Sequence, residues 1–209
     1  MENLKEKIVN QAIEMFLQYG IRSVSIDDIC RQMGISKKTF YVYFDQKSDL
    51  VDAILSQITL QLSERLKKQM TEKPMVEVLL DFAAKERNLQ EMHRPPQVVF
   101  DLEKYYPQLM AKHKKLIGNA VKQIVAQSLQ RGIEEGVFWN NLDVEMCAEI
   151  FAKLHQYLME TVNLPNFKLK EHKRAIDCAV TLLIRGIVSE QGTQQVKEIM
   201  ERKNYHKTK

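Results

Sequence analysis

The chain has 209 residues, with 31 Lys and Arg against 27 Asp and Glu, so its net charge is +4. Hydrophobic residues make up 44% of it, enough for a packed core, while seven glycines and five prolines are too few for the turns of an all-β sandwich or barrel. Its cysteines, Cys30, Cys147 and Cys178, are odd in number and far apart, which argues against a disulfide framework, and the sequence lacks the run of about 18 apolar residues that a membrane span needs.

Apolar spacing is helical almost throughout. Leu4, Ile8, Ala12, Phe16 and Tyr19 recur at steps of three and four, and Gly20 follows as a stop. Ser25 can cap a short helix from Ile26 to Met33, with Asp27 and Asp28 favouring its positive end. Gly34 ends that helix. Ser36 caps a second short one from Lys37 to Phe44, and a third starts near Gln46 or Lys47 and runs to about Met70.

Beyond this start the expected helices lengthen. One runs from Pro74 to about Gln90, a second restarts after Pro95-Pro96 and ends at Tyr105, and a third runs from Pro107 to about Glu135, closed by Gly136. Asp143 can cap a helix reaching about Val162. The last major helix spans Leu169 to Glu190, with Gly192 as its stop, and the basic tail from Lys197 is frayed or short. The expected fold is all-α with about nine helices. Residues 1–50 would form one domain and residues 51–209 a second.

Two short helices joined by Met33-Gly34-Ile35-Ser36 have the helix-turn-helix layout. Ile26, Ile29, Met33, Ile35, Phe40 and Phe44 can share a core with the first helix. That leaves Lys37, Lys38, Thr39, Tyr41 and Tyr43 largely outside the apolar stripe, where their side chains suit base edges and phosphates. Lys47 opens a helix whose dipole already favours a phosphate. A pair of exposed lysines is also what an ordinary solvated face carries, so the pattern alone leaves DNA binding open.

The stretch Gly20 to Leu50, GIRSVSIDDICRQMGISKKTFYVYFDQKSDL, resembles the DNA-binding domain of the TetR family of bacterial transcriptional regulators. The likeness lies in Phe16-x-x-x-Gly20, Ser25-Ile26-x-x-Ile29, Gly34-Ile35-Ser36 and, above all, Phe40-Tyr41-x-Tyr43-Phe44-x-x-Lys47-x-x-Leu50. It implies that Lys37, Lys38, Thr39 and Tyr41 lie on a recognition helix in the major groove. It implies phosphate contacts from Ser25, Ser36, Tyr43 and Lys47. Cys30 stands where the family often has a small residue, and it reads as a buried inert thiol rather than a redox sensor.

The helix from Asp143 carries Val144, Cys147, Phe151, Leu154 and Leu158 at coiled-coil-like spacing. The last helix reads as apolar on nearly all sides from Ile176 to Val188, and so as buried on all sides. A second copy of the chain, or the interior of a monomer, could supply the cover. The resemblance favours a homodimer, with Cys147, Phe151, Leu154, Leu158, Ala175, Ala179, Leu182, Leu183 and Gly186 as its interface.

Between these regions, Phe82, Met92, Phe100, Tyr105, Trp139, Phe151, His155, Tyr157 and Met159 are candidates for a small-molecule pocket, although such residues also build ordinary core. No effector can be named from them. The resemblance implies a repressor on a near-palindromic double-stranded operator, released when an effector shifts the population of subunit arrangements, with the helix from Lys47 as lever. Dinucleotide, P-loop, nucleophile-elbow and zinc-ligand motifs are absent from the sequence, so no enzyme, metal or cofactor is expected. The N-terminus lacks the apolar core of a signal peptide, and a cytoplasmic location is expected. The competing readings are an all-helical dimeric ligand-binding or enzymatic protein and a TetR-like activator that no ligand controls.

Overall fold

The computed structural model describes residues 3–85, 96–161 and 168–205. Among them are ten helices and no strand: α1 (Leu4–Tyr19), α2 (Ile26–Met33), α3 (Lys37–Tyr41), α4 (Lys47–Glu72), α5 (Met75–Lys85), α6 (Pro96–Tyr105), α7 (Pro107–Glu134), α8 (Val144–Thr161), α9 (Leu169–Ile187) and α10 (Glu190–Tyr205). None of these helices is long and apolar enough to cross a membrane. The expected continuation to Gln90 and the end near Val162 lie outside the described residues.

The chain forms two compact units. One gathers the residues up to Leu62 with those from α6 to Leu116. Its core joins Ile8, Ala12 and Phe16 of α1 to Ile29, Cys30, Phe40, Phe44 and Leu50, and α6 adds Val98 and Leu102. Burying such side chains contributes roughly 1.5–3 kcal/mol each, so the short helices α2 and α3 owe their order to this shared core rather than to their own hydrogen bonds.

The other unit gathers Ser63 to α5 with everything from Ile117 onward. Phe151 and Leu158 of α8 meet Ile176, Val180 and Ile184 of α9 and Leu129 of α7 in its core. The α9 helix is one-sided rather than apolar all round. His172, Ile176, Val180, Ile184 and Ile187 are buried, whereas Arg174, Thr181, Leu182 and Arg185 are exposed. The difference arises because Lys, Arg and Thr interleave the apolar residues at a helical period that a run-based reading overlooks.

The end of α9 also differs from expectation. It stops at Ile187, and α10 begins three residues later, at Glu190. The Ser189 side chain accepts from the Gly192 amide at 3.0 Å and donates to the Gly136 carbonyl at 2.7 Å. Phe138 and Val188 form an isolated antiparallel bridge beside it. Gly192 is therefore no stop but part of the first turn of α10, pressed so close that a Cβ there would lie 2.1 Å from the Val137 carbonyl oxygen. The tail beyond Lys197 continues as helix to Tyr205.

Candidate nucleic-acid interface

The α2–turn–α3 segment is built by two serine caps and one glycine. Ser25 caps α2: its hydroxyl accepts from the Asp28 amide at 3.1 Å, and the Asp28 carboxylate accepts in return from the Ser25 amide at 2.9 Å. The Ser25 hydroxyl, which donates to the Asp28 carboxylate, and after it the Ser25 amide hold that carboxyl below its ordinary pKa. Gly34 adopts a left-handed φ of 64°, and the Ile35 amide returns to the Cys30 carbonyl at 3.0 Å, closing the turn. Ser36 then caps α3 by accepting from the Thr39 amide at 3.0 Å. Cys30 is packed inside, and burial pushes its thiol up, away from the reactive thiolate.

Phe40 and Phe44 face the core with their rings 5.6 Å apart. A helix that buries this side must present the other, and α3 with its C-terminal cap presents Lys38, Tyr41 and Val42 to solvent. Lys37 is exposed too, but its ammonium pairs with Asp27 of α2 at 2.8 Å. Thr39 is half-buried, and its hydroxyl lies 2.8 Å from that of Ser36. Ser25 and Ser36 are exposed at the helix starts, while Tyr43 packs against the core and is half-buried.

Lys47 departs from the expectation of an outward phosphate contact. Its ammonium donates to the Ile21 carbonyl and lies 5.6 Å from the Phe16 ring centre. Burial lowers its pKa, with Asp101 and Asp28 opposing. The family-specific lysine thus fastens the α1–α2 turn to the start of α4.

That turn has a second anchor. Asp101 of α6 is fully buried, and its carboxylate accepts from the Arg22 amide at 2.8 Å and the Gln97 side chain at 3.0 Å. Gly20 has a φ of 83°, and a Cβ there would lie 2.9 Å from Gln97 and 3.2 Å from Asp101. The Arg22 guanidinium stands 5.3 Å from the Tyr105 ring centre. An α6 carboxylate therefore positions the backbone that leads into α2. No sequence motif marked Asp101, since its partner is a main-chain amide 79 residues away.

The candidate pocket residues do not assemble as one set. Phe100 and Tyr105 belong to the first unit, where both are exposed on α6. Trp139 and Tyr157 are exposed in the second. Solvent exposure corrects the expectation that these four line an interior. On α8, Phe151, His155 and Met159 share one inward side at steps of four; Phe151 is in the core, Met159 packs on it, and burial holds the His155 imidazole below its usual pKa. The Phe82 side chain and all of Met92 lie outside the described residues. A cavity of about 200 Å³ opens elsewhere in this unit, lined by Lys67, Met70, Thr71 and Ile124 with Gln127, Ser128 and Arg131.

The expected dimer face needs a similar correction. Phe151 and Leu158 are buried within the protomer, and Cys147 and Leu154 pack beside them, so this side of α8 already has its cover. The free side carries Met146, Ile150 and Tyr157, which are 54%, 51% and 62% exposed. On α9, Ala175, Leu182 and Gly186 do face outward, with Cys178 among them, while Ala179 and Leu183 are half-buried. The α8 outward stripe was present in the sequence, but two apolar stripes on one helix do not say which of them turns inward.

Residues 8–54 match the family model of the bacterial regulatory proteins, tetR family. The chain is 34% identical over 65 residues to the uncharacterised HTH-type transcriptional regulator YvdT of Bacillus subtilis (strain 168), which covers 31% of this chain and 34% of YvdT, so the chain spans about a third of that relative. It is 24% identical over 165 residues to IcaR, the HTH-type negative transcriptional regulator of the icaADBC biofilm operon in Staphylococcus aureus (strain Newman), covering 76% of this chain and 81% of IcaR. The crystal structure of a transcriptional regulator from Cytophaga hutchinsonii ATCC 33406 has the same fold, with a TM-score of 0.73 at 16% identity over 90% of this chain and all of the other. The N-terminal unit thus carries a helix-turn-helix of the kind that the TetR-family model describes, in an all-helical fold shared with solved transcriptional regulators.

Proposed function

We propose that the chain is a cytoplasmic, homodimeric repressor, not an enzyme, which reads a near-palindromic operator with α3 and leaves it when a small-molecule effector binds. Residues 1–50 would read DNA, and residues 51–209 would dimerise and hold the effector. The observation that carries the DNA role is the outward face of α3: Lys38 and Tyr41 are exposed on a helix whose opposite side is locked by Phe40 and Phe44. Lys37, Thr39, Ser25, Ser36 and Tyr43 flank it as further base or phosphate contacts, and the start of α4 offers backbone amides to a phosphate where the Lys47 side chain has turned away.

Repression follows the sign carried by the printed name of IcaR. The dimer reading is supported by the exposed apolar side chains of α8 and α9, and by Gly186, around which a Cβ would meet nothing within 4 Å. The inward trio Phe151, His155 and Met159 is the part of the candidate pocket best suited to an effector. Effector-driven release requires unequal affinity for the two subunit arrangements. The helix from Lys47, α4, would be the lever that carries it.

A salt titration of operator binding tests the DNA role. Replacing Lys38 and Tyr41 together by Ala lowers affinity by about tenfold or more if they touch bases or phosphates. Unchanged affinity in the double variant would remove α3 from the interface.

A further inference from the structure

Val42 is 72% exposed, more than any other large hydrophobic residue described in the chain. It lies beside Lys38 and Tyr41 on the outward face of α3, one residue past the helix, with φ −68° and ψ −27°, so the backbone still follows the helical path there. An isolated exposed valine needs no explanation by itself. This one sits on an exposed face whose other members, Lys38 and Tyr41, are cationic and hydrogen-bonding. Its isopropyl group can neither donate nor accept, so set against a phosphate or a polar base edge it would desolvate that group without pairing it. The thymine C5-methyl is the apolar group on the base edges of the major groove. A β-branched side chain is also stiff at χ1 and loses little rotamer freedom on contact.

We propose that Val42 is a specificity-determining residue that recognises a thymine methyl in each operator half-site. The proposal rests on the reading of α3 as the recognition helix and goes beyond it by assigning one base and one chemical group. Lys38 and Tyr41 would supply attraction and hydrogen bonds, and Val42 the discrimination of thymine from cytosine and from uracil.

The test begins with selection of bound duplexes from randomised DNA by the full chain. Each thymine of the selected operator is then replaced singly by deoxyuridine, which removes only the methyl. The wild-type protein loses about three- to fivefold in affinity at one thymine of each half-site, the loss expected for one buried methyl group. Val42→Ala, whose helicity and melting temperature are checked against wild type, binds the thymine operator more weakly by a similar factor. It shows no further loss with deoxyuridine at that position. If every deoxyuridine penalty is the same in wild type and Val42→Ala, or if no such penalty exists, the assignment to Val42 is overturned while the DNA-reading role of α3 stands. If no duplex is selected at all, both fail together.

Discussion

Asp52 of α4 shows how much one side chain can hold. Its carboxylate accepts from the Lys112 ammonium at 2.7 and 2.9 Å and meets the Nε2 of buried His113 at 2.7 Å. The His113 Nδ1 lies 3.1 Å from the Thr59 hydroxyl, which returns the cluster to α4. Lys112 first, and then His113, hold the Asp52 carboxyl below its ordinary value. A carboxyl with a depressed folded pKa stabilises above its unfolded pKa and loses that contribution as pH falls through the folded one. Asp52→Asn should therefore destabilise the protein by about 1–2 kcal/mol at neutral pH. The gap between the thermal melts of the two proteins should begin to narrow below about pH 4 and close only below the depressed folded value. A gap of constant size from neutral pH down to the acid limit of folding would assign the loss to packing instead. Gly192 makes a different kind of demand, since the Val137 carbonyl occupies the place of its missing Cβ. Gly192→Ala should cost about 1–3 kcal/mol through forced separation of α10 from the α7–α8 turn. A denaturant titration measures it directly.

At the scale of helices, the outward faces of α8 and α9 make a sharper prediction than the inward seam does. Ile150→Glu or Leu182→Glu places a charge on an exposed apolar face and leaves the protomer core untouched. Sedimentation at micromolar concentration should show a dimer for wild type and a monomer for either variant, with a matching loss of operator affinity. A substitution at Phe151 or Leu158 should unfold the unit instead, because those side chains are interior. This contrast marks what was legible in the sequence. The caps Ser25 and Ser36, the Gly34 turn and the Pro and Gly boundaries of α5 to α7 follow from local chemistry, and local chemistry is written residue by residue. Which stripe of α8 faces inward depends on the partner helices, and the seam of Cys147, Phe151, Leu154 and Leu158 packs within the protomer. Gly192 is ambiguous for the same reason, as conformational freedom and close approach leave one signature in a sequence. The Ser189 cap, by contrast, could have been found, since a serine followed by Glu190 announces a helix start. Lys47 was recognised by its place in the motif, but its inward turn is a tertiary fact fixed by Ile21 and Phe16.

For the whole molecule, the charge of +4 is a poor guide to how it meets DNA. Residues 1–50 hold seven basic and seven acidic residues and are neutral in sum. Neutrality does not disarm them, because position decides which charges can approach a phosphate. The salt dependence of operator binding should follow the number of phosphates neutralised at the interface, with a slope of about −0.9 per contact for double-stranded DNA. Filter binding at several salt concentrations would measure it, and a slope near zero would contradict the electrostatic role of the α2–α3 surface. One pair on that surface carries this further. The Lys37 ammonium is already held by Asp27 at 2.8 Å, so the protein brings its own counter-ion to the DNA. A random stretch of duplex offers Lys37 only a phosphate in exchange for a carboxylate, a near-even trade. On the proposed role of Lys37 as a DNA contact, a seated α3 would give it a better partner on the operator, and Asp27→Asn should raise affinity for non-operator DNA more than affinity for the operator. An acidic residue that weakens binding everywhere would then be one of the means by which the protein leaves the wrong sites quickly.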